Sequence, residues 1–404
     1  MIRIAISPPS CLLADARDIA CHTSQQGGYW NESADSRLRK PGALVIAGEE
    51  MAWPTLQYTK SQVDRAWEIF SNQEWNEETR SESPLMSDDY VRSVDAISNW
   101  RSSHSFPLNT FTVGLKRRAK DADPDALVAQ RIKRLSSIAA KLDRFPTMQL
   151  SQMQDIGGCR AIVATISDVH KLITKHKSSD IRHKLVKETD YIGSPKASGY
   201  RSIHLVYRYY SDKSHNYNGL QIEMQFRSAL QHAWATAVET VGTLVNQSLK
   251  SSIGNDEWLR FFALMGTAIA WREDSPPVPN TPNSQCELKS ELRRYAEQRA
   301  LADRLRTYGA AIHTAEQSSA TDKDASYFLL NLNPSAQEVT VSGFKRGELS
   351  KATEAYLDAE KQIKEHPGQD AVLVSVDSLS SLRRAYPNYF LDTGVFVNLV
   401  DETI

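Results

Sequence analysis

Two runs decide the fold: SIHLVYRYY (202–210) and LQIEMQFR (220–227). Each alternates apolar with polar residues, and the Ser/Asn/Gly-rich SDKSHNYNG (211–219) between them predicts a turn, so together they predict a β-hairpin. In the second run Ile222, Met224 and Phe226 belong to a core face, while Gln221, Glu223, Gln225 and Arg227 point the other way. Ser202, His204, Val206 and Arg208 share a face of the first run, so the hairpin can bring His204 beside Glu223.

Working outward, DIGGCRAIVATI (155–166) predicts a buried strand opened by Asp155 and followed by a helix near 167–177. LVAQRIK (127–133) alternates like a strand, with Arg131 and Lys133 on one face; a single long helix opened by Asp123-Pro124 is the local alternative. Ser137 then falls in the first turn of a helix, where free N–H groups attract anions, and Lys141 lies one turn further on. Two cations, a hydroxyl and a helix start suit a triphosphate. Two separated carboxylates, Asp155 and Glu223, beside such a seat suit Mg²⁺, which takes most of its remaining ligands from phosphates and water. DYIGSPKASGYRSIH (190–204) predicts a loop ending at Tyr200, whose ring could stack on a base, with Lys196 and Arg201 available to phosphates.

Thr59 and Gln62 have capping-box spacing before the helical pattern Val63, Ala66, Trp67, Phe70. A second helix is expected over 88–103, with Pro107 ending the region. Helices follow at 228–250 and 255–271, then the linker SPPVPNTPNS (275–284) and a charged helix near 286–313. The last 80 or so residues are expected to run β-β-α-β-α-β, with strands at 327–333, 338–344, 371–377 and 393–400.

The chain of 404 residues carries 48 Lys/Arg and 49 Asp/Glu, and this balance hides a local asymmetry. Lys116–Arg144 holds nine basic residues against four acids and His170–His204 eight against three, whereas 351–404 holds five against nine. A basic middle with an acidic tail fits a phosphate site with an internal cover. No apolar run approaches the roughly 18 residues of a membrane helix. The four cysteines show no metal-ligand spacing, which predicts a reduced, cytoplasmic protein. Residues 1–50 lack periodicity and are expected to be a disordered or mis-assigned N-terminal extension.

RIKRLSSIAAKL, DIGGCRAIV, DYIGSPKASGYRSIHLVY and QIEMQFRSALQHAWAT, in this order over about 116–250, resemble the synthetase domain of the RelA/SpoT family of alarmone synthetases. The resemblance implies an α/β (α+β) fold, a mixed β-sheet flanked by helices and related to nucleotidyltransferases, and a small C-terminal α/β domain. It implies transfer of the β,γ-pyrophosphate of ATP to a ribose 3′-hydroxyl. Carried over, Arg131 and Arg160 would sandwich the adenine, and Lys133, Ser137 and Lys141 would hold the phosphates. Asp155 and Glu223 would bind Mg²⁺, and Glu223 would also activate the hydroxyl. Tyr200 would stack on the acceptor base, with Lys196 and His204 near acceptor phosphates. KETD (187–190) departs from the loop motif of the long enzymes, so the acceptor stays open.

AYPNYFLDTGVF (385–396) carries Tyr386 and Tyr389 around a turn-prone Pro-Asn. A synthetase followed by a small tail with this YxxY is similar to the CapRel-type fused toxin–antitoxin proteins. That similarity implies a self-inhibited toxin whose tail tyrosines enter the adenine pocket, whose acceptor is the tRNA 3′-CCA end, and whose trigger is a phage protein. A stand-alone (p)ppGpp synthetase using GDP or GTP is the alternative, and a catalytically dead nucleotide sensor a third. The expected organisation is a synthetase domain over 51–272, a Pro-rich linker over 273–286, a helix over 287–318 and the antitoxin-like regulatory domain over 325–404.

Overall fold

The alternating runs assemble into one eight-stranded sheet. The computed structural model describes residues 53–75, 88–244, 256–298, 325–333, 338–364, 369–375, 384–387 and 393–404. The strands are β1 (Leu127–Ile132), β2 (Gly157–Val163), β3 (Lys184–Asp190), β4 (Ile203–Arg208), β5 (Gln221–Ser228), β6 (Ala325–Asn333), β7 (Glu338–Lys345) and β8 (Asp370–Ser375). Their order is β3-β4-β5-β2-β1-β8-β6-β7. The β2–β5 pair is parallel and every other pair antiparallel, so the sheet is mixed.

The helices are α1 (Lys60–Trp75), α2 (Asp88–Ser103), α3 (Ser105–Ala122), α4 (Leu135–Arg144), α5 (Ile166–Lys177), α6 (Ala229–Leu244), α7 (Asp256–Arg272), α8 (Gln285–Arg293), α9 (Leu349–Lys364) and α10 (Gly394–Thr403). The Thr59 cap before α1 forms: its N–H donates to Gln62 Oε1 at 2.8 Å. One core joins Cys159, Ala161, Met224 and Phe226 of the sheet to Leu108, Phe111 and Leu115 of α3 and Val169, Leu172 and Ile173 of α5. The opposite strand face carries Arg131, Gly158, Arg160, Glu223 and His204. A second core forms around α7, where Trp234, Phe261, Phe262, Leu288 and Phe396 are buried.

Four expectations are corrected. Pro107 does not end a helix: it sits in the first turn of α3, where a missing N–H costs nothing, and α3 runs on to Ala122. KETD (187–190), read above as a loop motif, lies in the edge strand β3. Residues 393–400 form α10, not a strand. Its buried Phe396, Val397, Leu399 and Val400 have helical spacing, and Phe396 packs on Phe262 with ring centroids 5.7 Å apart. The Pro-rich stretch over 275–284 is a packed strap: Val278 is buried, and its N–H donates to Thr267 Oγ1 at 2.9 Å. Of the helix expected near 286–313, α8 and a wider helical turn at Arg294–Gln298 lie within the described residues. The extension over 1–50 lies outside them.

The tail strands extend the core sheet. β8 pairs with β1 at Gln130↔Ser375 and Arg131↔Val374, so a strand of the tail is bonded alongside Arg131. Among the described residues, no helix is long and apolar enough to cross a membrane.

Candidate active site

The site grows from register. Arg131 lies opposite Gly158, and Gly158 opposite Glu223, so a residue without a side chain separates an arginine on β1 from a carboxylate on β5. Ala129 lies opposite Arg160, which makes Arg131 and Arg160 diagonal neighbours on one face.

Asp155 sits just before β2. The Lys133 N–H donates to Ile156 O at 2.8 Å, holding the end of β1 beside it. Lys133 Nζ reaches Asp155 Oδ2 at 2.9 Å and Lys141 Nζ reaches Oδ1 at 2.8 Å. Burial alone would raise the Asp155 carboxyl, but the two ammonium groups outweigh it and hold the pKa at about 2. Lys133 itself is lowered, because burial exceeds the gain from Asp155. Ser137 stands in the first turn of α4, partly exposed. A carboxyl depressed from 3.8 to about 2 stabilises the fold above about pH 4 and loses that contribution as pH falls toward 2. Asp155→Asn should therefore lower the melting temperature at neutral pH and flatten its decline between pH 4 and 2. Parallel melting curves for the two proteins would count against the ion-pair cluster.

Glu223 has both oxygens occupied. His204 Nδ1 lies 2.9 Å from Oε1, and Gln225 Nε2 donates to Oε2 at 2.7 Å. The pairing is diagonal, since Val206 lies directly opposite Glu223. Burial pushes the Glu223 carboxyl up and the nearby Asp155 charge adds to that. Hydrogen bonding and attraction from His204 prevail, so the pKa is lowered. His204 Nε2 lies 2.8 Å from the Tyr200 hydroxyl, so both ring nitrogens are engaged within the protein.

Tyr200 is only 6% exposed. Lys196 Nζ lies over its ring at 5.3 Å and over the Tyr191 ring at 4.4 Å, and the Arg227 guanidinium approaches the Tyr200 ring at 5.2 Å. The preceding Gly199 has φ +91°, and a Cβ there would meet Phe262 O at 2.8 Å. Only glycine lets the loop turn this tightly against α7.

Tyr386 of the tail is 1% exposed, with the Arg160 guanidinium 5.0 Å from its ring centre. Burial raises its phenol pKa, and the Arg160 and Arg131 charges act in the opposite sense. The backbone of the tail is also held there, since His232 Nε2 lies 3.1 Å from Arg384 O. Tyr389 lies outside the described residues.

Sequence reading missed a second tail contact. Glu360 on α9 receives Arg101 Nη1 at 2.8 Å and Nη2 at 3.1 Å, the Tyr356 hydroxyl at 2.6 Å, and the Leu135 backbone N–H at 3.0 Å. A carboxylate of the tail thus caps the N-terminus of α4. Nothing in its local sequence, DAEKQIK, separates Glu360 from its acidic neighbours, so only the fold reveals it.

Residues 130–241 match the region found in RelA / SpoT proteins. The chain is also similar to two proteins of Bacillus subtilis (strain 168). GTP pyrophosphokinase YwaC is 29% identical over 132 residues, 31% of this chain and 62% of that protein. GTP pyrophosphokinase YjbM is 31% identical over 118 residues, 29% of this chain and 56% of that protein. The chain thus spans about six tenths of the length of the curated relatives it matches. Among solved structures, the small alarmone synthetase 1 from Bacillus subtilis bound to its product pppGpp aligns with a TM-score of 0.37 and 22% identity, over 46% of this chain and 93% of that one. A GTP pyrophosphokinase family protein from Streptococcus pneumoniae aligns at 0.35 and 25%, over 42% and 84%.

Proposed function

We propose that the protein is an ATP-dependent pyrophosphotransferase that acts on a ribose 3′-hydroxyl and is restrained by its own tail. The observation that carries this reading is the convergence beside the central β2–β5 pair of a lysine-held Asp155 and a His204-held Glu223. The acceptor O3′–H gives its proton to Glu223, the O3′–Pβ bond forms, the bond from Pβ to the α,β-bridging oxygen breaks, and AMP leaves. Arg131 and Arg160 hold the adenine, while Lys133, Lys141 and Ser137 align the phosphates and neutralise their charge. Lys196 supplies positive charge on the acceptor side, where stacking of a base on Tyr200 requires Lys196 to leave that ring.

Asp155 and Glu223 fit Mg²⁺ by donor chemistry: both carboxyls are held ionised, close enough to repel, and a nucleotide would complete the ligand set. When bound, the ion would offset phosphate charge. Lys133 and Lys141 would then pass from Asp155 to the phosphates.

Restraint by the tail rests on Tyr386 against Arg160 and Glu360 at the α4 N-terminus. The two side chains occupy the base end and the phosphate end of the donor seat. We favour the tRNA 3′-CCA end as acceptor because a fused tail of this kind suits a translation-blocking toxin, released in the cytoplasm by a phage protein. GDP or GTP is the second reading, favoured by the names of YwaC and YjbM. Incubating the full chain and its Tyr386→Ala variant with γ-labelled ATP and either bulk tRNA or GDP tests the choice. Label on tRNA is expected; label on guanine nucleotide alone selects the second reading, and label on neither removes both.

A further inference from the structure

Five side chains, Glu223 among them, close into a ring. Arg227 Nη2 donates to Tyr200 Oη at 2.8 Å and to Gln225 Oε1 at 3.0 Å. Gln225 Nε2 donates to Glu223 Oε2 at 2.7 Å, Glu223 Oε1 meets His204 Nδ1 at 2.9 Å, and His204 Nε2 meets Tyr200 Oη at 2.8 Å.

Donor rules give the ring a direction. Arg227 can only donate, so Gln225 must turn its oxygen toward Arg227 and its N–H toward Glu223. An ionised Glu223 can only accept, so His204 carries a proton on Nδ1, and in the neutral tautomer that meets this need the Nε2 lone pair faces Tyr200. The tyrosine oxygen accepts from Arg227 and its O–H donates to His204. Both branches start at one nitrogen of Arg227 and end on the two oxygens of Glu223.

Arg227 is 2% exposed. Its Nε and Nη1 have no hydrogen-bond partner among the described residues, so the polar hold on this buried guanidinium runs through the ring. Burying a charge is costly, and an apolar side chain would fill the same space without that cost.

We infer that Arg227 is a positioning residue for the general base: through Gln225 and the Tyr200–His204 pair it fixes the direction of both hydrogen bonds that aim Glu223. This rests on the pyrophosphotransfer reading for its kinetic consequence, but not for its structural one. Without Arg227 the Gln225 amide and the Tyr200 hydroxyl lose the donor that orients them, so His204 is held less firmly in one tautomer and both hydrogen bonds that aim Glu223 lose support. The other titratable groups acting on Glu223 are Asp155 before β2, and Lys196 and Tyr200 in the loop before β4. Cys159 lies on the other face of β2, in the core against α3, where burial pushes its thiol up to about 12.

The test uses the full chain with Arg227→Gln, Tyr200→Phe and the double variant. Nitrogen NMR of the histidine side chains, assigned with His204→Gln, should find wild-type His204 protonated on Nδ1, and a shift toward mixed tautomers in both single variants. A wild-type His204 spectrum in Tyr200→Phe, which keeps the ring and should fold, would overturn the inference whatever the reaction proves to be. Kinetics in a Tyr386→Ala background add a second readout. Each single variant should lower kcat about 30-fold with little change in acceptor KM. The double variant should lose little more than either single one, because both break one ring. Additive losses would overturn it.

Discussion

Glu223→Gln is expected to lower transfer from γ-labelled ATP by about 10²- to 10⁴-fold, the range of a general base. Among the described residues, Glu223 is the carboxylate brought by strand register opposite Gly158, one strand from Arg131. Asp155 is committed to two lysines, which leaves it poorly suited to take a proton. Glutamine has nearly the same volume, so the fold should survive, although the approach of Gln225 Nε2 then meets either an amide oxygen or a competing N–H. ATP binding should change by no more than a few-fold, because the donor seat is built by other residues. A variant that retains near-native turnover would remove Glu223 from the mechanism and the proposed reaction with it.

Tyr386→Ala is expected to act in the opposite direction, raising transfer by the full chain about 10- to 100-fold and making its expression more toxic. Truncating a buried aromatic ring costs about 3–5 kcal/mol, and the Arg160 contact accounts for about 0.5–2 kcal/mol of that. Against a docked tail, a loss of about 3 kcal/mol shifts the open population by roughly 100-fold. Glu360→Gln should release the tail in the same sense, because it leaves the buried Arg101 without its carboxylate while keeping the volume. Unchanged rates in both variants would mean that the tail packs on the core without restraining it. A rise with Tyr386→Ala alone would mean that Glu360 holds α9 in place but does not guard the donor seat.

Much of the site can be read one strand at a time, because alternation is local. The sides taken by Ile222, Met224 and Phe226 against Glu223, Gln225 and Arg227 follow from a period of two, and so does the meeting of His204 with Glu223 across a hairpin. The seat of Ser137 in the first turn of a helix follows from the pattern around Ile138, Ala139 and Leu142. Periodicity fails where its two forms overlap. GVFVNLV (394–400) satisfies a strand by composition and a helix by spacing, and the aromatic surface of Phe261 and Phe262 selects the helix. Pro107 misleads for a related reason: its meaning depends on whether the helix starts before or after it.

The strand faces and the helix start beside Lys133 are properties of neighbouring residues, and the chain order alone specifies them. The joining of β8 to Arg131, the Glu360 carboxylate on the α4 N-terminus and the ring that ends on Glu223 depend on residues far apart in sequence. Such contacts are chosen by which surfaces can exclude water and satisfy buried polar groups together, and no local pattern carries that information.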